Sequence, residues 1–252
     1  MRRHQSHQYQ AAPNRSAVRE QSVHGAENRF SDRARHRWAL TWVEVLVVLA
    51  VLALVALVLV PPALARARAK AWRIYCISNL KQIGLSFRIW AGDNTNLYPM
   101  QVTGIFGGTK EHEATADVFR YFQVLSNELA TPAVLVCPAD RSRRRSPDFH
   151  TNFSNANISY FLGLDATEDH PDGWLAGDSN LEVAGQPVQP GLLHLWTNSP
   201  AGWTAKRHRG SGNLALADGS VHQLANAKVL ANAKFREMLS QTGLATNRLA
   251  IP

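Results

Sequence analysis

The sequence predicts an α+β protein in which a long N-terminal transmembrane helix packs on a small antiparallel sheet domain. Two observations predict this class: an unbroken apolar run near the N-terminus, and a mixture of short helical and strand patterns after it. From 45 to 60 the run contains only Val, Leu and Ala. With its apolar flanks it reaches about 20 residues, the length that crosses a bilayer as a helix.

Composition divides the 252-residue chain into three segments. Residues 1–39 are rich in Arg, His, Gln and Ser and poor in aliphatic side chains, so we expect a disordered basic leader. Residues 40–93 are predicted to form one helix, roughly 80 Å long, with a membrane span at about 42–62. Residues 94–252 are predicted to form an α+β globular domain.

The helix is expected to change character along its length. Pro61 and Pro62 follow the apolar run, and either can bend or interrupt the helix. Beyond them, apolar residues recur at spacings of three and four, which predicts a single buried stripe: Ile74, Ile77, Leu80, Phe87 and Trp90. The first half therefore belongs in an apolar environment, and the second half against a globular domain.

Shorter patterns predict the elements of the globular domain. Helices are predicted at 117–129 and 228–241, with Gly243 ending the second. Strands are predicted at 133–137, 157–162 and 192–196, and a hairpin with an Asp218-Gly219 turn at 213–224. The stretch 163–190 is rich in Gly, Asp and Pro and is predicted to be a long surface loop.

The net charge of +8 does not predict a nucleic-acid-binding protein. Residues 1–39 hold eight Arg, whereas residues 61–252 hold 19 Lys and Arg against 15 Asp and Glu, a net charge of +4. Arg141 and Arg143–Arg145 form one dense basic run, either a solvated loop or a phosphate-binding patch. We expect no nucleic-acid partner.

Glu44 lies one turn inside the apolar run. A carboxylate costs several kcal/mol there unless it is paired, or unless it lies near enough to the interface to reach water. The residues around Glu44 favour a paired carboxylate over one that reaches water. The stretch Ala39-Leu40-Thr41-Trp42-Val43-Glu44, followed by aliphatic residues, resembles the cleavage and methylation segment of type IV prepilins and type II secretion pseudopilins. Ala39 stands where that family usually has glycine.

The resemblance implies a pilin-like fold and specific roles for these residues. A prepilin peptidase would cut between Ala39 and Leu40 and methylate the new amine of Leu40. Glu44, with Thr41 matching the family pattern, would pair with the N-terminal ammonium of a neighbouring subunit and register assembly. Pro61 falls where pilins place the proline that kinks the first helix.

A second resemblance involves the C-terminal part. His208 is followed by Asp218-Gly219, with nine residues between His208 and Asp218. This pattern is similar to the His-x9-Asp-Gly motif of a large subgroup of bacterial pseudopilin-like proteins. Earlier stretches resemble the same subgroup: residues 76–84, 90–94 and 135–140.

Together these resemblances imply a structural subunit of a type II secretion or type IV pilus-like filament, not an enzyme. Its partners would be prepilin peptidase, other pseudopilin subunits through the N-terminal helix, and the inner membrane. The chain would cross that membrane once, with its C-terminal domain periplasmic or extracellular. The alternative is an unprocessed, singly anchored envelope module whose loops 101–116 and 163–190 bind a substrate or surface glycan.

Catalytic and cofactor motifs are not evident. The sequence lacks HExxH, Cys-x-x-Cys and a Gly-rich phosphate loop, and no metal site is predicted. The alternative for His208, Asp218 and His222 is a metal site, with Ca²⁺ held by carboxylates and carbonyls as the form it would take. The two cysteines, Cys76 and Cys137, allow one disulfide if they lie outside the cytoplasm; otherwise they are two buried thiols.

Overall fold

The computed structural model describes residues 41–115, 117–224 and 228–252. The predicted leader, 1–39, lies outside these ranges. The chain divides into two compact units, and the division falls between Val51 and Leu52. Helices and antiparallel strands both occur, so the α+β class is confirmed.

Helix α1 runs from Trp42 to Asp93, close to the predicted 40–93. It continues through Pro61 and Pro62, so neither proline interrupts it. Among the described residues, α1 is the one helix long and apolar enough to cross a membrane, which supports single-pass anchoring. From Trp42 to Val60 its large apolar side chains are exposed within the described part of the chain, except for the half-buried Val45.

The remaining elements follow in chain order. The further α-helices are α2 (Val118–Val124), α3 (Ser126–Leu129) and α4 (Lys228–Gln241). The first strands are β1 (Tyr160–Gly163), β2 (Trp174–Asp178), β3 (Leu181–Val183), β4 (Gln186–Pro187) and β5 (Gly191–Trp196). The last are β6 (Ala201–Trp203), β7 (Gly212–Leu216), β8 (Val221–Leu224) and β9 (Thr246–Ile251).

The strands form two antiparallel sheets. The larger has the order β5-β9-β1-β2-β7-β8, and the smaller has the order β4-β3-β6. Side chains of β7 alternate between two cores, since Ala215 joins one while Leu214 and Leu216 join the other. The sheet is therefore apolar on both faces.

Helices cover both faces of the large sheet. The later part of α1 covers one with side chains that include Cys76, Leu80, Ile83 and Phe87. Helix α4 covers the other, where the Phe235 ring lies 4.9 Å from that of Trp174 and 5.1 Å from that of Trp203. Leu80, Phe87 and Trp90 of the predicted stripe are thus core residues, whereas Ile74 is exposed and Ile77 is only partly buried.

Several local predictions are confirmed. Helix α4 has the predicted bounds, β5 covers 192–196, and the 213–224 hairpin is formed by β7 and β8. Two predictions are approximate: the 117–129 helix is divided at Leu125 into α2 and α3, and the 157–162 strand begins only at Tyr160, after a 3₁₀ turn.

The strand predicted at 133–137 is wrong. Residues Pro132–Leu135 form a 3₁₀ turn instead. Pro132 fixes its own φ and lacks a backbone donor, and the Thr131 side chain accepts a hydrogen bond from the N–H of Ala133 at 3.3 Å. Both features favour a turn start over a sheet ladder, although the run Ala-Val-Leu-Val is typical of a strand.

The long surface loop predicted at 163–190 is also wrong, because the stretch contains β2, β3 and β4. All five residues of β2 are buried. Its Gly177 lies where an added Cβ would be 2.6 Å from the Phe161 ring, and its Asp178 accepts two hydrogen bonds from Asn213. Gly and Asp usually mark loops, but here Gly177 leaves room for the Phe161 ring and Asp178 accepts buried hydrogen bonds.

Replacing Gly163 with alanine should destabilise the protein by roughly 1–3 kcal/mol. An added Cβ at Gly163 would lie 1.8 Å from the carbonyl oxygen of Trp174, on the strand paired with β1, so backbone must move. Urea unfolding of the full chain in detergent measures the change.

Gly92→Ala is the matched control, because an added Cβ at Gly92 meets nothing within 4 Å. It lies in a helix, so alanine there should be neutral or stabilise by up to about 1 kcal/mol. Equal unfolding midpoints for the two variants would contradict the packing of β1 against β2.

Candidate functional site

The predicted processing residues lie at the edge of the described chain. Ala39 and Leu40 are outside it, and Thr41 is its first residue. The backbone N–H and the hydroxyl of Thr41 donate to Glu44 Oε2 at 2.8 and 3.0 Å, and the N–H of Glu44 donates to Thr41 Oγ1 at 3.3 Å. These reciprocal bonds form a capping box at the start of α1.

The capping box gives Glu44 a local role that does not require a second subunit. A carboxylate in the first turn of a helix satisfies backbone donors and interacts favourably with the helix dipole. The bond from the amide of Thr41 would survive cleavage before Leu40, since Thr41 would then be the second residue. The same geometry is therefore available to a processed and an unprocessed chain.

The two cysteines form a disulfide between α1 and the segment after the 3₁₀ turn. Cys76 and Cys137 are completely buried, and their Cα atoms are 5.5 Å apart. The bond closes a loop with a sequence separation of 61 residues. It links the helix covalently to the segment that carries Pro138 and Asp140.

A histidine and an aspartate lie against this disulfide. His208 Nε2 is 3.2 Å from Cys137 Sγ and 3.9 Å from Asp178 Oδ2. Candidate ligand atoms of all four residues lie within 4.8 Å of one another. We call Cys76, Cys137, Asp178 and His208 the buried cluster.

Neighbouring residues fix the two polar members of the buried cluster. Asp178 ends β2, and its Oδ2 accepts from the backbone N–H and the side-chain amide of Asn213 at 2.8 and 2.9 Å. His208 has a φ of +48°, and its carbonyl accepts from Arg73 Nη2 at 2.8 Å. Burial raises the pKa of Asp178 and lowers that of His208, because it disfavours both charged forms.

The two ends of the His-x9-Asp-Gly pattern lie next to different parts of α1. His208 joins the buried cluster beside Cys76, whereas Asp218 is at the exposed β7–β8 turn. Gly219 has a φ of +82°, and an added Cβ on Gly84 would lie 3.4 Å from its Cα. Arg88 Nη1 also donates to the Asp218 carbonyl at 3.2 Å. The pattern thus docks β7 on the helix at two points.

A buried ion pair lies next to the cluster in sequence. Arg207 Nη1 is 3.1 Å from Asp140 Oδ2, and the guanidinium also donates to the carbonyl of Ser159 and to Ser179 Oγ, each at 2.7 Å. Burial acts to raise the pKa of Asp140, but Arg207 and hydrogen bonds from Ser142 and Ser159 outweigh it and hold the pKa below its usual range.

A cavity of about 1000 Å³ borders the same region. Its lining includes eight Lys and Arg residues, and Asp140 is the single Asp or Glu among its described lining residues. The cationic residues are Arg66, Lys70, Arg73, Arg141, Arg143, Lys206, Arg207 and Arg209. Of the basic run, Arg141 and Arg143 line this cavity, whereas Arg144 and Arg145 are exposed and do not.

Reasoning from the sequence did not find the buried cluster. The alternative metal site joined His208 to Asp218 and His222, but Asp218 and His222 lie outside the cluster, and Asp178 fell in the predicted loop. The aliphatic Leu175-Ala176 pair before Gly177-Asp178 was the available strand signal.

Comparisons of the chain with known protein families, with curated proteins and with solved structures find no match.

Proposed function

We propose that the chain is a structural, pseudopilin-like subunit of a type II secretion or type IV pilus-like filament. The observation that carries the proposal is the division of α1. Its first part exposes a continuous apolar surface, with Leu57 73% and Leu59 61% exposed, and its later part is built into the core of the globular unit. An apolar surface of that extent requires lipid or other apolar helices around it.

The start of α1 supports the same proposal. Thr41 and Glu44 keep the order that the prepilin resemblance requires, and their bonds use Oε2 of the carboxylate. A carboxylate accepts several hydrogen bonds, so Glu44 can retain its cap and also receive the N-terminal ammonium of a neighbouring subunit. That ammonium would offset the cost of a carboxylate in an apolar bundle.

The first test is the mature N-terminus of the full-length chain, expressed in a host with a matching prepilin peptidase. Mass spectrometry should find a chain that begins at N-methyl-Leu40. Ala39→Gly should preserve cleavage, whereas Ala39→Trp should block it, because the position before the cut requires a small side chain. An intact N-terminus on the wild-type chain in the membrane fraction would contradict the proposal.

Assembly is tested separately with two variants of Glu44. Glu44→Gln keeps an oxygen that can accept the cap bonds but removes the charge, whereas Glu44→Ala removes both. Chemical cross-linking in membranes should recover oligomers of the wild-type chain and lose them in both variants, with the globular unit still folded. Oligomers retained by Glu44→Gln would assign the residue to capping alone.

A second candidate is a singly anchored binding module that is not processed. The cationic cavity favours it, since eight Lys and Arg side chains around about 1000 Å³ would attract an anionic ligand. In this candidate the ligand would bind in the cavity and not on a loop at 163–190, because that stretch contains β2, β3 and β4. This candidate requires an intact N-terminus in the membrane and no dependence on the charge of Glu44.

A further inference from the structure

The buried cluster combines four side chains that are all metal ligands in other proteins. Two sulfur atoms, one imidazole nitrogen and one carboxylate lie within 4.8 Å of one another, and no function described above uses them together. We propose that the buried cluster binds one Zn²⁺ ion when its two cysteines are thiols. The disulfide is then the oxidised form of the same site.

The donor set fits zinc. Structural zinc sites are tetrahedral and use Cys sulfur, His nitrogen and carboxylate oxygen at about 2.0–2.3 Å, so their ligand atoms are about 3.3–3.8 Å apart. His208 Nε2 already lies 3.2 Å from Cys137 Sγ and 3.9 Å from Asp178 Oδ2. Thiols, unlike a disulfide, are free to separate to the spacing that two Zn–S bonds set.

The ring geometry favours a metal site over a catalytic one. In a nucleophile–histidine–carboxylate arrangement, the carboxylate binds one ring nitrogen and the nucleophile the other. Here a single nitrogen, Nε2 of His208, faces both the sulfur of Cys137 and the carboxylate of Asp178. The four donor groups thus lie together as the ligands of a single ion do, and Oδ1 is the Asp178 oxygen left free to bind it.

A buried polar atom also points to a ligand. Asp178 is fully buried, yet its Oδ1 has no hydrogen-bond partner among the described residues. Its Oδ2 is held by two donors from Asn213, which is how outer residues orient a ligating carboxylate. An ion bound to Oδ1 would compensate the desolvation of this buried oxygen.

Charge and access are consistent with this assignment. Binding releases one proton from each thiol, so two thiolates, one carboxylate and Zn²⁺ leave a net charge of −1. Two cations, Arg73 and Arg207, act electrostatically on His208 and would partly offset that charge. His208 also lines the cationic cavity, so the cluster borders a space outside the core.

Oxidation would release the ion. A disulfide oxidase that accepts two electrons converts the two thiolates to the Cys76–Cys137 disulfide and frees Zn²⁺, because a disulfide no longer supplies thiolate ligands. The zinc form therefore belongs to the chain before disulfide formation, and the disulfide form to the chain after it.

The test uses the full chain in detergent, prepared with tris(2-carboxyethyl)phosphine so that both cysteines remain thiols. Titration with Co²⁺ should give one bound ion per chain with thiolate-to-metal charge-transfer absorption in the near ultraviolet, and Zn²⁺ should displace it. Asp178→Asn and His208→Ala should weaken binding by about 100-fold or more, because removal of a ligand exceeds the loss caused by an outer-shell partner.

His222→Ala is the control, since His222 is exposed and outside the buried cluster; it should bind Co²⁺ as the wild type does. The oxidised wild-type chain should show no thiolate absorption. A folded, reduced wild-type chain that binds no Co²⁺ would overturn the proposal, as would Co²⁺ absorption without a thiolate band. This wild-type measurement decides the question even if a variant fails to fold.

Discussion

Replacing Arg207 with methionine should destabilise the globular unit by about 3–5 kcal/mol, the range for removing one partner of a buried ion pair. Arg207 is 8% exposed and pairs with Asp140 at 3.1 Å. Methionine fills similar space but leaves the Asp140 carboxylate without its cation. The carbonyl of Ser159 and the hydroxyl of Ser179 also lose their guanidinium donor.

Two further variants separate the ion pair from general loss of packing. Arg145→Met makes the same substitution at an exposed position, so its unfolding midpoint should match that of the wild type. Asp140→Asn added to Arg207→Met should recover part of the loss, because the stranded charge is removed. Urea unfolding at pH 7 measures all three. A loss below about 1 kcal/mol for Arg207→Met would indicate that the pair is solvated.

Removing the disulfide by the double replacement Cys76→Ala and Cys137→Ala should cost about 4 kcal/mol, the loop-closure value for a separation of 61 residues. The bond constrains the unfolded chain, so its loss makes unfolding more favourable. Both sulfur atoms are also buried in the core beside α1, and alanine leaves space there. The unfolding midpoint of the oxidised wild type is the reference.

Reduced wild-type chain in the presence of EDTA is the control, because it lacks the bond but keeps the sulfur atoms. It should lie between the oxidised wild type and the double variant, nearer to the variant. If the reduced chain in EDTA is as stable as the oxidised chain, then the disulfide does not contribute through loop closure.

Predictions from the sequence are most successful where the signal is local. The Asp218-Gly219 turn requires a positive φ that glycine supplies, and the apolar residues on either side fix the strands. Helix α4 and the glycine after it, Gly243 with a φ of +69°, follow from spacing and a stop signal. Helix α1 follows from length and apolar periodicity.

The sequence does not predict features that depend on contacts between distant segments. Asp178 belongs to a buried strand because β1 and β7 pair with it on both sides, and neither pairing is visible in its own segment. The buried cluster draws one residue each from α1, the segment after the 3₁₀ turn, β2 and the turn before β7. No short spacing relates these residues, so a spacing pattern pairs His208 only with residues near it in sequence, Asp218 and His222.

The disulfide also determines how the protein would respond to a mechanical load. A pulling force along α1 reaches Cys76 and passes through the sulfur atoms to Cys137, bypassing the segment between them. Those residues would add about 200 Å of contour length if they could extend. While the disulfide is intact, these residues cannot extend under the force. The α1 segment after Cys76 and helices α2 and α3 would therefore remain folded.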